Sequence, residues 1–320
     1  MHSPSTSLRI IFMGTPEFAV ASLEALYQGG FDIVAVVTAP DKPAGRGLKM
    51  HLSEVKRYAL AHDIPVLQPV RLKDPVFQQQ LRSLGADIQV VVAFRMLPES
   101  VWDMPPLGTI NLHASLLPAY RGAAPINWAI IRGETETGVT TFKLQHEIDT
   151  GAVIYSERVP IGPEETAGSL HDRLMKTGAE LILKTLRAIQ AGDYPLQPQE
   201  GLANPAVREK TAPKLFRDDG RIRWDSPGAA VSNLIRGLSP YPGAWTVFNG
   251  RTLKIYRARR IAAPDGLPAP GTVSSDGKTY IRVATRDGWI ALDELQLEGK
   301  KRMDTTEFLR GFRDTEMHTG

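Results

Sequence analysis

Residues 8–19 read Leu8-Arg9-Ile10-Ile11-Phe12-Met13-Gly14-Thr15-Pro16-Glu17-Phe18-Ala19. A run of apolar, β-branched and aromatic side chains stops at a glycine, and the next three residues carry the marks of a helix start. Thr15 is placed to cap that helix, Pro16 to take its first position, and Glu17 to set a carboxylate against the positive end of the dipole. The helix runs to about Gln28 and stops at Gly29-Gly30. The same grammar recurs downstream. Ile33 to Val37 reads as a second apolar strand, Ser53 to His62 as a helix, Asp74-Pro75 as the start of another ending near Gly85, and Ile88 to Phe94 as a third strand. Strands apolar on both faces, alternating with helices, imply an α/β fold with a doubly wound, Rossmann-like parallel sheet. Gly14-Thr15-Pro16 is not a dinucleotide fingerprint, because the second and third glycines of that motif are missing. It still lies at the carboxyl edge, where such sheets bind ligands.

A second stretch brings chemistry to that edge. An apolar segment, Leu107 to Leu112, ends in the Asn111 amide and the His113 imidazole, and then enters Ala114-Ser115-Leu116-Leu117-Pro118 and Tyr120-Arg121-Gly122-Ala123-Ala124-Pro125-Ile126. Side chains two apart on a strand point to the same side. Asn111 and His113 can therefore offer two hydrogen-bond donors to one developing negative charge. Asp149 lies in the polar loop His146-Glu147-Ile148-Asp149-Thr150-Gly151, between strands read at Gly138–Leu144 and Val153–Val159. By itself it is equally a turn aspartate; a role in catalysis requires it near His113, which spacing does not establish.

Asp41-Lys42-Pro43-Ala44-Gly45-Arg46-Gly47-Leu48-Lys49 is longer than the usual strand-to-helix loop. Its cations are either simply solvated or, at the ligand-binding edge, able to grip phosphates. No metal is expected: neighbouring His146 and Glu147 diverge on a strand, and no spaced set of ligands exists.

Thr166 to Ala191 reads as a long helix stopped by Gly192, followed by a stretch with Pro195, Pro198, Pro205 and Pro213 and little periodicity. Beyond it, Ala244–Phe248, Leu253–Arg257, Tyr280–Ala284 and Trp289–Leu295 read as short strands, with Asn249-Gly250, Asp276-Gly277 and Asp287-Gly288 as hairpin signals. A small antiparallel barrel is the natural architecture. The expected organisation is a disordered tail at 1–7, an α/β catalytic domain at 8–194, a linker at 195–213 and an OB-like barrel at 214–320. The net charge of +3 is unevenly divided. From Lys210 onward the chain carries 19 basic against 13 acidic residues, a net +6, while residues 1–209 carry 19 against 22, a net −3. A basic barrel suits a polyanionic partner. The chain has no cysteine, which excludes disulfides, thiolate metal sites and a cysteine nucleophile and fits a reducing, cytoplasmic compartment. No apolar run approaches the length of a membrane span.

Taken together, Gly14–Ala19, Pro43–Gly47, Asn111–Ile126 and Ile148–Gly151 resemble the methionyl-tRNA formyltransferase family, within the wider formyltransferases. The C-terminal runs Ala212–Leu215, Asp219–Trp224, Ile235–Ala244 and Gly299–Met303 agree with that resemblance. It extends from about Leu8 to Arg313. It implies 10-formyltetrahydrofolate as donor, tetrahydrofolate as product and the α-amine of methionyl initiator tRNA as acceptor, in a monomer. Carried onto this chain, it makes Asn111, His113 and Asp149 catalytic and lines the folate pocket with Ser115, Leu116, Leu117 and Pro118. Arg46, Lys42 and Lys49 become tRNA contacts. Transfer between two nitrogens needs donors for a tetrahedral oxyanion, which Asn111 and His113 supply, and a group that moves a proton near neutral pH, which an imidazole does. Asp149 would orient that ring, directly or through a water. One departure bears on the folate pocket: relatives carry an aromatic-Gly pair where this chain reads Phe94-Arg95-Met96. The alternatives are a formyltransferase for a small amine, a formylfolate hydrolase with the same trio, and a non-catalytic RNA-binding protein.

Overall fold

The computed structural model describes residues 7–44, 49–202, 210–263, 266–312 and 317–319. Residues 1–6 of the tail, the loop tip with Arg46, and residues 203–209 lie outside the described residues. The chain gathers into two compact units. One takes residues 1–122, 138–159 and 171–211; the other takes residues 123–137, 160–170 and 212–320.

In the first unit the strands are β1 (Arg9–Gly14), β2 (Asp32–Val37), β3 (Lys42–Ala44), β4 (Lys49–His51), β5 (Val66–Leu67), β6 (Ile88–Val92), β7 (Thr109–His113), β8 (Arg121–Gly122), β9 (Glu136–Lys143) and β10 (Val153–Pro160). Seven form one sheet in the order β10-β9-β7-β6-β1-β2-β5. The five central neighbours from β7 to β5 pair in parallel, and β9 joins β7 antiparallel. The parallel core matches the sequence reading, and an antiparallel edge is added. Ile10 to Met13 are at most 1% exposed, so both faces of β1 are covered, as the unbroken apolar run requires.

The helices are α1 (Glu17–Gln28), α2 (Glu54–Ala61), α3 (Pro75–Ser83), α4 (Glu99–Trp102), α5 (Pro125–Ile131) and α6 (Ala167–Ala191). Ser53 caps α2 by accepting from the Lys56 N–H, and Asp74 caps α3 by accepting from the Val76 N–H. The expected Thr15 cap is not made. Pro16, extended at ψ 175°, is itself the N-cap, and no side chain caps α1. Gly14 earns its place by close packing: a Cβ there would lie 2.6 Å from the Ala19 Cβ and 3.0 Å from the Val92 carbonyl oxygen.

The second unit contains α5, a sheet in the order β12 (Ala244–Phe248), β13 (Arg251–Ile261), β16 (Trp289–Leu297), β15 (Ile281–Ala284) and β14 (Val273–Ser275), with β17 (Met303–Asp304) on β16. All these pairings are antiparallel. Register shifts around Arg257 bend β13, and the sheet curls into a half-barrel around Ile235, Phe248, Ile255, Ile290 and Phe308. Helices α7 (Gly228–Gly237) and α8 (Thr305–Gly311) contribute to that core. Asn249 and Gly250 both take positive φ, as a tight two-residue hairpin demands.

The segment read as a linker carries local structure at several of its described residues. Gln197 exchanges backbone hydrogen bonds with Val153, Gln199–Gly201 form a 3-10 turn, and β11 (Thr211–Ala212) follows.

Candidate active site

The strand order locates the crevice. From β1 the chain builds outward through β2 to β5, then returns to the other side of β1 with β6 and continues to β7. The switch point lies between β1 and β6, and ligands of open α/β sheets bind beyond the carboxyl ends there. Gly14, Ala93 and the tip of β7 stand at those ends.

On β7 the alternation is clear. Leu112 packs against α6, where a Cβ on Gly178 would come within 2.7 Å of it. Asn111 and His113 take the opposite parity and face the other side of the sheet. Asn111 is half-buried, and its side-chain amide has no hydrogen-bond partner among the described residues. His113 is 7% exposed, and its Nε2 lies 2.8 Å from the Tyr120 carbonyl oxygen. A carbonyl only accepts, so Nε2 carries the proton and Nδ1 is left for chemistry. The other side of the ring meets Asp149, with Nδ1 3.8 Å from Oδ2. That separation is too long for a direct hydrogen bond and leaves room for a proton-bearing group to touch both atoms.

Asp149 is drawn to His113 by backbone geometry that spacing did not reveal. It takes a left-handed conformation, φ 56°, which aspartate tolerates better than most residues. Its Oδ2 accepts from the Gly122 N–H at 3.0 Å. Gly151 follows because a Cβ there would stand 1.7 Å from the Lys143 carbonyl oxygen. The turn is held from behind by Gln199, which is fully buried and donates from Nε2 to the carbonyls of Asp149 and Gly151, each at 2.8 Å. Its Oε1 accepts from Arg121 Nε at 3.1 Å and from a terminal guanidinium nitrogen at 2.6 Å. Neither Gln199 nor Arg121 was singled out as a site residue. Gln199 sits in a Pro-rich stretch without periodicity, where its only local signal is composition.

The run after β7 is mostly interior. Ser115, Leu117 and Pro118 are buried; the Ser115 hydroxyl donates to the Ala119 carbonyl at 2.6 Å, and Leu117 packs with Phe142 and Val153. Leu116 alone of the four is partly accessible. The Leu117–Pro118 peptide is cis. The basic loop is framed by a hairpin of β3 with β4, in which exposed Lys42 pairs with His51 in register and Lys49 opens β4. At its base Lys56 Nζ donates to Asp41 at 2.5 Å and to Gln68 at 2.7 Å. The hydrogen bond from Lys56, then that from Gln68, holds the Asp41 carboxyl below the ordinary range. The Phe94-Arg95-Met96 departure demands no glycine. The positive φ at the end of β6 falls on Ala93, and the Arg95 guanidinium donates to the carbonyls of Pro69 and Val70. No group of three His, Asp or Glu side chains among the described residues is arranged to hold a metal ion.

Two family models match the chain. Residues 8–186 match the formyl transferase model, and residues 214–313 match the model of the formyl transferase C-terminal domain. A methionyl-tRNA formyltransferase of Bacteroides fragilis is 52% identical over 314 residues, covering 97% of this chain and 96% of that protein. This chain belongs to the methionyl-tRNA formyltransferase family. A second member, from Bacteroides thetaiotaomicron, is 54% identical over 312 residues, covering 96% of each chain. Among solved structures, the N-formyltransferase of Helicobacter canadensis, in complex with folinic acid and dTDP-3-aminofucose, superposes with a TM-score of 0.68. It covers 92% of this chain and 100% of that one at 20% identity, which establishes a shared fold.

Proposed function

We propose that the chain transfers the formyl group of 10-formyltetrahydrofolate to the α-amine of methionyl initiator tRNA, releasing tetrahydrofolate, for translation initiation. The observation that supports this reading is His113 Nδ1 facing the Asp149 carboxylate at 3.8 Å, at the tip of the strand on which Asn111 shares the parity of His113. The folate is a substrate, consumed once per turnover. In the relatives' solved folds it accompanies formyltransferases, folinic acid in the Helicobacter canadensis protein being one instance.

The amine attacks the formyl carbon, and the carbonyl oxygen becomes an oxyanion. The Asn111 amide and a protonated His113 Nδ1 are its donors, worth about 10²–10³ in rate for each donor removed. Proton transfer from the attacking to the departing nitrogen runs through the space between Nδ1 and Asp149 Oδ2, 3.8 Å wide. The Tyr120 carbonyl holds the ring by its Nε2, which leaves Nδ1 on the Asp149 side. No covalent enzyme intermediate is needed. Ser115, Leu116, Leu117 and Pro118 form the folate-side wall, with Leu116 and the backbone touching ligand and the three buried members supporting them.

Lys42, Arg46 and Lys49 are read as phosphate contacts to the tRNA, joined by the +6 surface of the C-terminal domain. The domains are read as 8–194 for chemistry, 195–213 as connection and 214–320 as the tRNA-binding half-barrel, behind a short N-terminal tail. Charged initiator tRNA is a cytoplasmic substrate, so the enzyme is placed there, acting as a monomer.

The test is a purified assay offering methionyl initiator tRNA, an amino sugar nucleotide and glycinamide ribonucleotide as acceptors, with tetrahydrofolate release followed. We expect formyl transfer to the tRNA at least about 10²-fold faster than to either small amine. Equal or faster small-amine transfer, or folate hydrolysis without an acceptor, would overturn the reading. Arg46→Ala should lower the slope of log affinity against log salt by about 1, since one phosphate contact is lost. An unchanged slope removes the loop from the tRNA interface.

A further inference from the structure

We infer that Gln199 and Arg121 are positioning residues that set the distance between His113 and Asp149. This deepens the reading above and rests on it. Gln199 is fully buried, and its amide makes four hydrogen bonds: two donated to the carbonyls flanking the turn, and two accepted from one guanidinium. A side-chain amide has two N–H donors and two lone pairs, so its capacity is used in full. The orientation of the amide is therefore fixed. Reversing it would oppose an oxygen to two carbonyls and an NH2 to a guanidinium.

The partners of this amide are the two segments that hold the site. Tyr120 accepts from His113 Nε2 at 2.8 Å through its carbonyl, and the Gly122 N–H donates to Asp149 Oδ2 at 3.0 Å. Between them, the Arg121 side chain turns away to Gln199. A closed ring results: Asp149 to Gly122, along the chain to Arg121, to Gln199, and back to the Asp149 carbonyl. Tyr120 is itself left-handed at φ 60°, as is Asp149 at φ 56°. Two left-handed backbone positions thus adjoin or belong to the ring, and the surrounding bonds must hold them there. Releasing Gln199 lets the 149–151 turn relax and moves the carboxylate relative to Nδ1. Among the described residues neither Gln199 nor Arg121 hydrogen-bonds to His113, so each acts through the backbone.

Gln199→Met removes all four bonds at similar volume, and Gln199→Glu keeps the acceptor toward Arg121 but sets an oxygen against the two carbonyls. Three readouts decide. In the transfer assay, both variants should lose about 10²-fold in kcat with KM for the folate and the tRNA within about twofold, since a displacement near 1 Å costs about that much. The pH at which kcat reaches half its maximum should move. The ring titration of His113, followed by nuclear magnetic resonance without substrate, should move as well. A merely structural role would lower thermal stability and leave the last two unchanged. Folded Gln199→Met with wild-type kcat, pH profile and His113 titration overturns the inference. Failure of the wild-type enzyme to formylate the tRNA overturns the activity reading instead, and the His113 titration still decides the positioning role. Should Gln199→Met not fold, Arg121→Lys carries the same readouts. It keeps the charge and the Gln199 amide but cannot form the two-pronged contact.

Discussion

Asp149 illustrates how much a single residue's backbone matters to the chemistry assigned to it. Its carboxylate accepts from Gly122 and faces His113 Nδ1 at 3.8 Å, and both contacts depend on a left-handed φ of 56°. Alanine in that conformation costs roughly 1–2 kcal/mol and confounds a test of function with one of folding. Asparagine tolerates the conformation and keeps an acceptor for the Gly122 N–H, while losing the charge. Asp149→Asn is therefore expected to fold with a near-normal melting temperature and to lose about 10²–10³ in kcat. Asn111→Ala should lose a similar factor, with KM for the folate little changed, because in the proposed mechanism its amide serves only the developing oxyanion. Stopped-flow or steady-state transfer rates beside thermal melts measure both. Turnover within a few-fold of wild type in either variant removes that residue from the mechanism.

At the scale of elements, the turn between β9 and β10 is the part that a small change would break. Gly151 passes so close to the Lys143 carbonyl that a Cβ would lie 1.7 Å from its oxygen. No rotamer relieves that overlap, so the backbone must shift. Gly151→Ala should cost about 1–3 kcal/mol, as overpacked sites do, and should lower kcat in the same variant because Asp149 lies two residues away. Urea denaturation gives the first quantity and the transfer assay the second. An unchanged midpoint would mean that the turn is not packed as described. The end of β6 behaves differently. Its positive φ sits at Ala93, and the Arg95 guanidinium ties it to the carbonyls of Pro69 and Val70.

For the molecule as a whole, stability should depend on pH through carboxylates spread over both units. Asp41 is held low by its hydrogen bond from Lys56, Glu294 by Arg302, Asp304 by Thr306, and Asp276 most strongly, by the Thr279 hydroxyl and backbone. Each has a folded pKa below its unfolded value of about 4. Their stabilisation is complete above that unfolded value and is lost as pH falls toward the folded values. Thermal midpoints are therefore expected to stay level from about pH 8 to 5 and to drop below about pH 4. Asp276→Asn preserves an acceptor for the turn and removes the titration, so it should flatten that drop. A wild-type midpoint that holds down to pH 3 would refute the linkage.

The features legible in the sequence are those with a local physical cause. The parallel core followed from apolar runs between helix signals, the Ser53 and Asp74 caps from side chains beside the N–H groups they satisfy, and the shared face of Asn111 and His113 from the two-residue period of a strand. Thr15 shows how far local rules reach: the helix began one residue later than expected, and Pro16 became the cap. Asp149 was visible as a polar loop residue, but its approach to His113 arises because β9 adds antiparallel to β7 and returns the chain to the same strand edge. Gln199 carried no signal beyond the composition of its stretch, since its four hydrogen bonds run to segments distant in sequence. The sequence alone determined which strand presents Asn111 and His113 and that Asp149 lies in a polar loop. Only the tertiary structure decided their spacing, because that spacing is set by side-chain and backbone hydrogen bonds between segments that no periodicity connects.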